Sequence, residues 1–328
     1  MATLYLDHKD LELRSNGSTI ALYRDGAASG HVPLRLLERV VIQGSQTRLD
    51  SGVLLRLAEG GASVVFLSPR MGRRVATVLG PAHNDAAVRL AQAQRVMDPE
   101  FCLDFARSIV GAKIRRQRRT LDRLLIARPD ARRQLFGTMM KLARASNAAQ
   151  GPKITTPDAL RGIEGAAARE YFRGLAAVFP PSAKFNGRNR RPPRDPVNAC
   201  LSLGYTLLHS DAVLAAHAAG LDPLLGFYHR PAFGRESLAC DLMDPLRPVV
   251  DAWVWAMWRD RELREEHFTL TNGACLLAKS GRQHFFASWE ENARWHRRWL
   301  RRQTSAMARQ LRAEGLPLLD GGDEDPFS

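Results

Sequence analysis

The sequence predicts an α+β protein, with a small, mainly β N-terminal domain followed by a larger all-α C-terminal domain. Three observations carry this. The chain has 328 residues, too many for one minimal domain and enough for two with separate cores. Period-two alternation and short β-branched runs are confined to residues 1–82. Beyond Gly80-Pro81 the texture turns to long helical patterns, and strand alternation does not return.

Within 1–82, Leu4, Leu6, Leu11 and Leu13 alternate with polar neighbours. Ser15-Asn16-Gly17 marks a hairpin turn into a return strand from Thr19 to Tyr23. Val40-Val41-Ile42 and Val64-Val65-Phe66-Leu67 are further short strands. Between them Ser51 to Glu59 has helical spacing through Val53, Leu54 and Leu57, stopped by Gly60-Gly61. The second domain, 83–315, opens with a helix from His83 to Met97. Helical patterns then run from Phe101, broken near Pro129 and again at 147–157. Thr156 as N-cap and Pro157 at the first helical position start a helix carrying Leu160, Ile163, Ala167, Tyr171 and Phe172. Residues 316–328 hold Gly321-Gly322 and four acids with little to bury, which predicts a disordered acidic tail.

Composition narrows the class. An apolar share of 45% suits a globular protein, and no run of about 18 apolar residues predicts a membrane span. The N-terminus has no basic stretch followed by an apolar core, so it does not read as a secretory signal. Cys102, Cys200, Cys240 and Cys275 are far apart in apolar contexts, which fits reduced core cysteines of a cytoplasmic protein better than disulfides or a zinc site.

The formal charge is +14, and it is clustered. Arg115, Arg119 and Arg123 share one helical face in a segment with few acids. Like charges at that spacing destabilise an isolated helix by a few tenths of a kcal/mol per pair, a cost that a polyanionic partner offsets. Lys184, Arg188, Arg190, Arg191 and Arg194 form a second cluster of loop composition. A third, including Arg298 and Arg302, is interleaved with Trp295 and Trp299. Any one cluster reads as a solvated face. Three together point to phosphate-directed, salt-sensitive binding of nucleic acid and away from a membrane partner.

Three further segments carry chemistry: Leu160-Arg161-Gly162-Ile163-Glu164-Gly165, Gly226-Phe227-Tyr228-His229, and Asp241-Leu242-Met243-Asp244. Each has a plain structural reading. Glu164 sits between helical glycines that cost about 1 kcal/mol each relative to alanine, so a neighbouring helix or a ligand should need the close approach. His229 beside aromatics reads as a hydrogen-bonded core histidine. Asp241 and Asp244, three apart on a helix, repel unless a cation or arginine lies between them. Pro245 disfavours the α conformation at Asp244, which makes that residue either a helix N-cap or a kink aimed into a site. Taken together, one Glu, one His and two Asp are a ligand set for a hard divalent cation, Mg²⁺ or Mn²⁺ rather than Zn²⁺.

The order of these segments, with Tyr171-Phe172, Arg190 to Ala199, Leu201 to Tyr205, Gly220-Leu221-Asp222-Pro223, Gly234-Arg235, Ser237-Leu238-Ala239 and Arg247-Pro248, strongly resembles the CRISPR-associated endonuclease of the adaptation module. That family is the integrase that inserts new spacers. The motifs span 155–250, and the β-then-α organisation extends the likeness from residue 1 to about 310. The resemblance implies a homodimer formed through the β domain and catalysis in the helical one. It implies Glu164, His229 and Asp244 as metal ligands, Asp241 as a supporting acid, and Asn198 with the 188–194 loop beside the site. It also implies joining of the 3′-hydroxyls of a short double-stranded DNA to the CRISPR repeat by transesterification through branched DNA. A small ferredoxin-like partner protein bridging two dimers is implied as well. Two departures stand out: Asp244 replaces a common glutamate, and Pro245 replaces a common acid. The alternative is a DNA-binding scaffold whose site is degenerate and whose Asp244 merely caps a helix.

Overall fold

The computed structural model describes every residue except 1, 9, 44–45, 69–73, 81–82, 84, 153, 191 and 320–328. Contacts divide the chain into two compact units, residues 1–83 with 278–293, and residues 84–277 with 294–328. The α+β class predicted above holds.

The first unit contains β1 (Ala2–Leu6), β2 (Leu11–Asn16), β3 (Thr19–Arg24), β4 (Ala27–Pro33), β5 (Leu37–Ile42), β6 (Arg48–Leu49), α1 (Ser51–Glu59), β7 (Ser63–Leu67) and β8 (Arg74–Val78). One sheet runs β1-β5-β7-β8, the other β4-β3-β2-β6. β1, β5 and β7 are parallel, and the inner strands β5 and β7 carry the short unbroken apolar runs, since strands covered on both faces lose alternation. Leu13, Ile20, Val40, Val53, Leu57 and Val64 lie in its core. Pairing of Asn16 with Thr19 makes Gly17-Ser18 the hairpin turn, with Gly17 at φ +57°. A second hairpin at Asp25-Gly26 joins β3 to β4, and both turn residues have positive φ. That Asp-Gly signal was legible, but the Gly- and Ala-rich β4 has too weak a pattern to read as a strand. Asp50 caps α1 through the Gly52 N–H at 3.0 Å.

Residues 278–293, expected in the helical domain, pack with the β unit. Phe286 stacks on Tyr5 with ring centres 4.4 Å apart. The Tyr5 hydroxyl donates to Glu290 at 2.6 Å, and Arg282 Nε donates to Asp7 at 2.7 Å. Nothing in the local sequence distinguishes this amphipathic stretch from the helix that continues it.

The second unit contains α2 (Ala86–Met97), α3 (Pro99–Ala127), α4 (Arg132–Ala149), α5 (Pro157–Ala176), α6 (Pro196–Ala218), α7 (Ser237–Met243), α8 (Arg247–Arg259), β9 (Phe268–Thr271) and β10 (Ala274–Leu277). The long α9 (Lys279–Gly315) begins in the first unit and ends in this one. Thr156 caps α5 as predicted, and the structure adds two caps of the same kind, Asp98 for α3 and Asp195 for α6, each followed by proline. By length and composition α6 could cross a membrane, but 78% of its apolar stretch is buried in the protein. The β9–β10 hairpin adds a strand pair to the helical unit. Its turn, Asn272-Gly273, has positive φ at both residues and is a hairpin signal that the sequence carried. Leu316–Leu318 form a 3₁₀ turn, and the acidic residues expected in the tail lie outside the described residues. All four cysteines are free.

Candidate functional site

α7 runs through a 3₁₀ turn, Asp244–Leu246, into α8. Asp244 has φ −57° and ψ −44°, so it stays helical before Pro245. Neither the N-cap nor the kink occurs. The proline occupies the start of the 3₁₀ turn, where a missing N–H leaves no bond unmade, and the chain continues through Arg247 N–H to Asp244 C=O. The Asp244 carboxylate is buried. Lys113 Nζ, from α3, donates to its Oδ2 at 2.9 Å, and Arg247 Nε donates to Oδ1 at 2.6 Å. The same Lys113 ammonium donates to Glu164 on α5, whose other oxygen accepts from the Tyr228 hydroxyl. One cation therefore joins the two carboxylates. Burial alone would raise the pKa of Asp244; Lys113, Arg247 and His229 outweigh it and hold the carboxyl well below the usual range. Burial, then the Glu164 charge, pushes the Tyr228 hydroxyl up, so it stays a donor.

A Cβ added at Gly162 or Gly165 would meet nothing within 4 Å, so no neighbouring helix packs against these two glycines and the packing explanation for them fails. The face beside Glu164 is open.

Asp241 does not share a cation with Asp244. It is fully buried and turned onto the loop before α7. Its Oδ2 accepts from the Phe227 and Tyr228 N–H groups at 2.8 and 3.0 Å, and its Oδ1 accepts from the His229 N–H at 2.9 Å. Oδ1 also lies 2.7 Å from His229 Nδ1. A carboxylate only accepts, so this contact places the imidazole proton on Nδ1 and leaves the Nε2 lone pair available. Gly226 is required here, because a Cβ would stand 2.5 Å from the Ser237 carbonyl carbon and 2.7 Å from the His229 oxygen. Among the described residues, no three His, Cys, Asp or Glu side chains stand close enough to ligate one ion as they lie. The donor chemistry fits a divalent cation nonetheless: two carboxylates already gather one positive charge, and the nearby imidazole offers a lone pair.

The basic clusters separate into exposed side chains and side chains bonded within the protein. Arg115, Arg119 and Arg123 on α3 are exposed, as are Arg190, Arg298 and Arg302. Lys184 is exposed and 3.6 Å from Glu265. Arg191 lies outside the described residues. Arg188 departs from expectation. Its guanidinium donates to Asn198 Oδ1 at 2.7 Å, to Ser202 Oγ at 3.1 Å and to the Asn189 carbonyl, and it lies over the Tyr205 ring. It holds its own loop instead of facing a phosphate. Asn198 ties that loop to the α6 cap through Asp195 and Gly187. The bridging role of Lys113 has no signal in the sequence, where it is one more base in the segment that holds Arg115, Arg119 and Arg123. The same holds for Arg116, which donates to the Pro245 carbonyl at 3.1 Å while lying over Trp295 and Trp299.

Behind the site Asp251 accepts from Tyr171 at 2.9 Å and from Tyr205, whose ring carries Arg247. Burial pushes the Asp251 carboxyl from 3.8 up to about 6, against the two tyrosine bonds. The folded pKa exceeds the unfolded one, so this group favours folding at low pH and loses that contribution as pH rises from 3.8 through about 6. Asp251→Asn removes the dependence. In paired urea melts, the stability of the variant relative to the parent should rise by about 2 kcal/mol between pH 4 and pH 7. A flat difference would show that Asp251 is ionised throughout.

Residues 4–291 match the family model described as CRISPR associated protein Cas1. CRISPR-associated endonuclease Cas1 1 of Thermodesulfovibrio yellowstonii is 37% identical over 316 residues, covering 96% of this chain and 98% of its own. A solved Cas1 protein of Thermotoga maritima superposes with a TM-score of 0.81 at 24% identity, over 95% of this chain and 97% of that one, which supports the fold. A chain of a Cas6-RT-Cas1–Cas2 complex gives a TM-score of 0.80 at 25% identity, over 95% of this chain and 35% of its own. With a family model spanning most of its length and a relative alike across nearly all of both chains, this chain belongs to the Cas1 family of CRISPR-associated proteins.

Proposed function

We propose that the chain is a metal-dependent DNA endonuclease and integrase of CRISPR adaptation, joining 3′-hydroxyl ends of short DNA to the CRISPR repeat by transesterification. The observation that carries this reading is the convergence of Glu164 and Asp244 on one ammonium beside a histidine whose Nε2 is left free by Asp241. Glu164, Asp244 and His229 Nε2 would hold Mg²⁺ or Mn²⁺. When bound, the ion polarises the phosphate and stabilises the leaving oxygen.

The chain's own residues prepare that site. Asp241 fixes the His229 tautomer and the loop it sits on. Tyr228 orients Glu164, and Arg247 holds Asp244 Oδ1. Lys113 balances the carboxylates and brings positive charge to the place where phosphate oxygens would lie. The exposed bases of α3 and α9 would track the DNA backbone, with affinity falling steeply as salt rises. The Cas6-RT-Cas1–Cas2 complex among similar structures supports a Cas2 partner; a small ferredoxin-like protein in that role and a homodimer formed through the β unit belong to the proposal.

A second reading, a DNA-binding scaffold with a degenerate site, is favoured by one observation: Lys113 already fills the space between the two carboxylates. A branched-DNA disintegration assay separates the two. Metal-dependent product with Mn²⁺ and none in EDTA is expected. Saturating DNA binding without product under both conditions would leave the scaffold.

A further inference from the structure

Among the described exposed apolar side chains Phe233 stands apart, at 108% of full exposure against 82% for Ile126 and 80% for Met97. Isolated surface apolar residues are ordinary, but this one is displayed by a fixed support. Arg235 N–H donates to the Ala232 carbonyl at 3.1 Å, closing a β-turn with Phe233 and Gly234 at its corner. Gly234 has φ +68°, the conformation that the third position of such a turn demands. Arg235 Nε donates to Ser237 Oγ at 3.1 Å, and Ser237 Oγ donates to the Arg230 carbonyl at 3.0 Å. Arg235 also donates to that carbonyl directly. Residues 230–237 therefore form a short, self-bonded arm. Its root is His229, itself clamped by Asp241. Arg230, exposed, sits at the base of the arm.

We propose that Phe233 is a stacking wedge, whose ring takes the face of an unpaired base in branched DNA held at the Glu164–His229–Asp244 site. This rests on the DNA reading given above. An aromatic ring presented rigidly to solvent loses little freedom on stacking, and every base offers a π face, so the contact tolerates sequence. The arm's attachment to His229 would fix the stacked base relative to the reacting phosphodiester. The neighbouring Arg230 would take a flanking phosphate.

The test uses a branched DNA with 2-aminopurine as the first unpaired base beside the junction, bound in EDTA so that no chemistry is needed. Wild-type protein should change the 2-aminopurine fluorescence at saturation. Phe233→Ala should abolish that change and weaken branched-DNA binding about tenfold, with intact duplex bound within about twofold of wild type. Phe233→Trp should restore both. Unchanged signal and affinity in Phe233→Ala would overturn the wedge, as would a defect limited to association with a partner protein. Wild-type protein that binds the branched DNA and shows the signal, yet never yields metal-dependent product, overturns the enzymatic reading and supports the wedge.

Discussion

Glu164→Ala, His229→Ala and Asp244→Ala should each lower strand transfer by at least about a thousandfold, while binding of duplex DNA stays within a few-fold of wild type. The first half of this expectation follows from the donor count. With only two carboxylates and one imidazole available, loss of any one leaves too few protein ligands to fix the ion against the phosphate. The second half follows from separation. Arg115, Arg119, Arg123, Arg298 and Arg302 are exposed and make no bond to the three side chains. The variants should differ in stability. Asp244 is buried between Lys113 and Arg247, so its removal leaves Arg247 without its carboxylate and Lys113 with Glu164 alone, and should cost about 3–5 kcal/mol. Glu164 is more open and shares only Lys113 and Tyr228, so Glu164→Ala should fold with a smaller loss. Gel assays of strand transfer, titrations with labelled duplex and thermal melts read the three quantities separately. Strand transfer retained in all three variants would sink the proposed ligand set.

Much of this site was legible before any coordinates. Glu164, His229, Asp241 and Asp244 stand out by residue type and order, and the Thr156 cap places the helix that carries Glu164. The β-then-α change near residue 80 is equally plain, but the β9–β10 hairpin and the packing of residues 278–293 with the β unit are not. What the sequence hid was partnership across long separations. Lys113 lies 51 residues from Glu164 and 131 from Asp244, and nothing local to α3 marks it among the seven bases of that helix. Arg188 was misread for the same reason: its loop composition suggests phosphate contact, and only packing against Asn198, Ser202 and Tyr205 shows that its guanidinium is occupied. The Pro245 step misled in another way. The rule against α conformation before proline is a local preference, and here a 3₁₀ turn within one continuous helical path overrides it.

Asp241→Asn should reduce strand transfer about 10- to 100-fold and stability by about 3 kcal/mol, although Asp241 touches no substrate. Each oxygen of this buried carboxylate faces donors only: Phe227 and Tyr228 N–H on one side, His229 N–H and Nδ1 on the other. An amide offers one acceptor and one donor. If its NH₂ turns to Phe227 and Tyr228, two buried N–H groups lose their partner, at about 1–3 kcal/mol each. If it turns to His229, the ring must accept on Nδ1 and carry its proton on Nε2, which removes the lone pair proposed for the metal. Either orientation damages the site, but only the second changes the tautomer. Long-range ¹⁵N–¹H correlation of the His229 ring reads that change directly, whereas a merely structural role for Asp241 would leave the ring signature untouched. A double-mutant cycle isolates the route. In a His229→Ala background, Asp241→Asn should still destabilise the fold yet produce no further loss of residual activity, because its effect on chemistry passes through the imidazole. Independent, multiplicative losses would show that Asp241 acts on the reaction by another path.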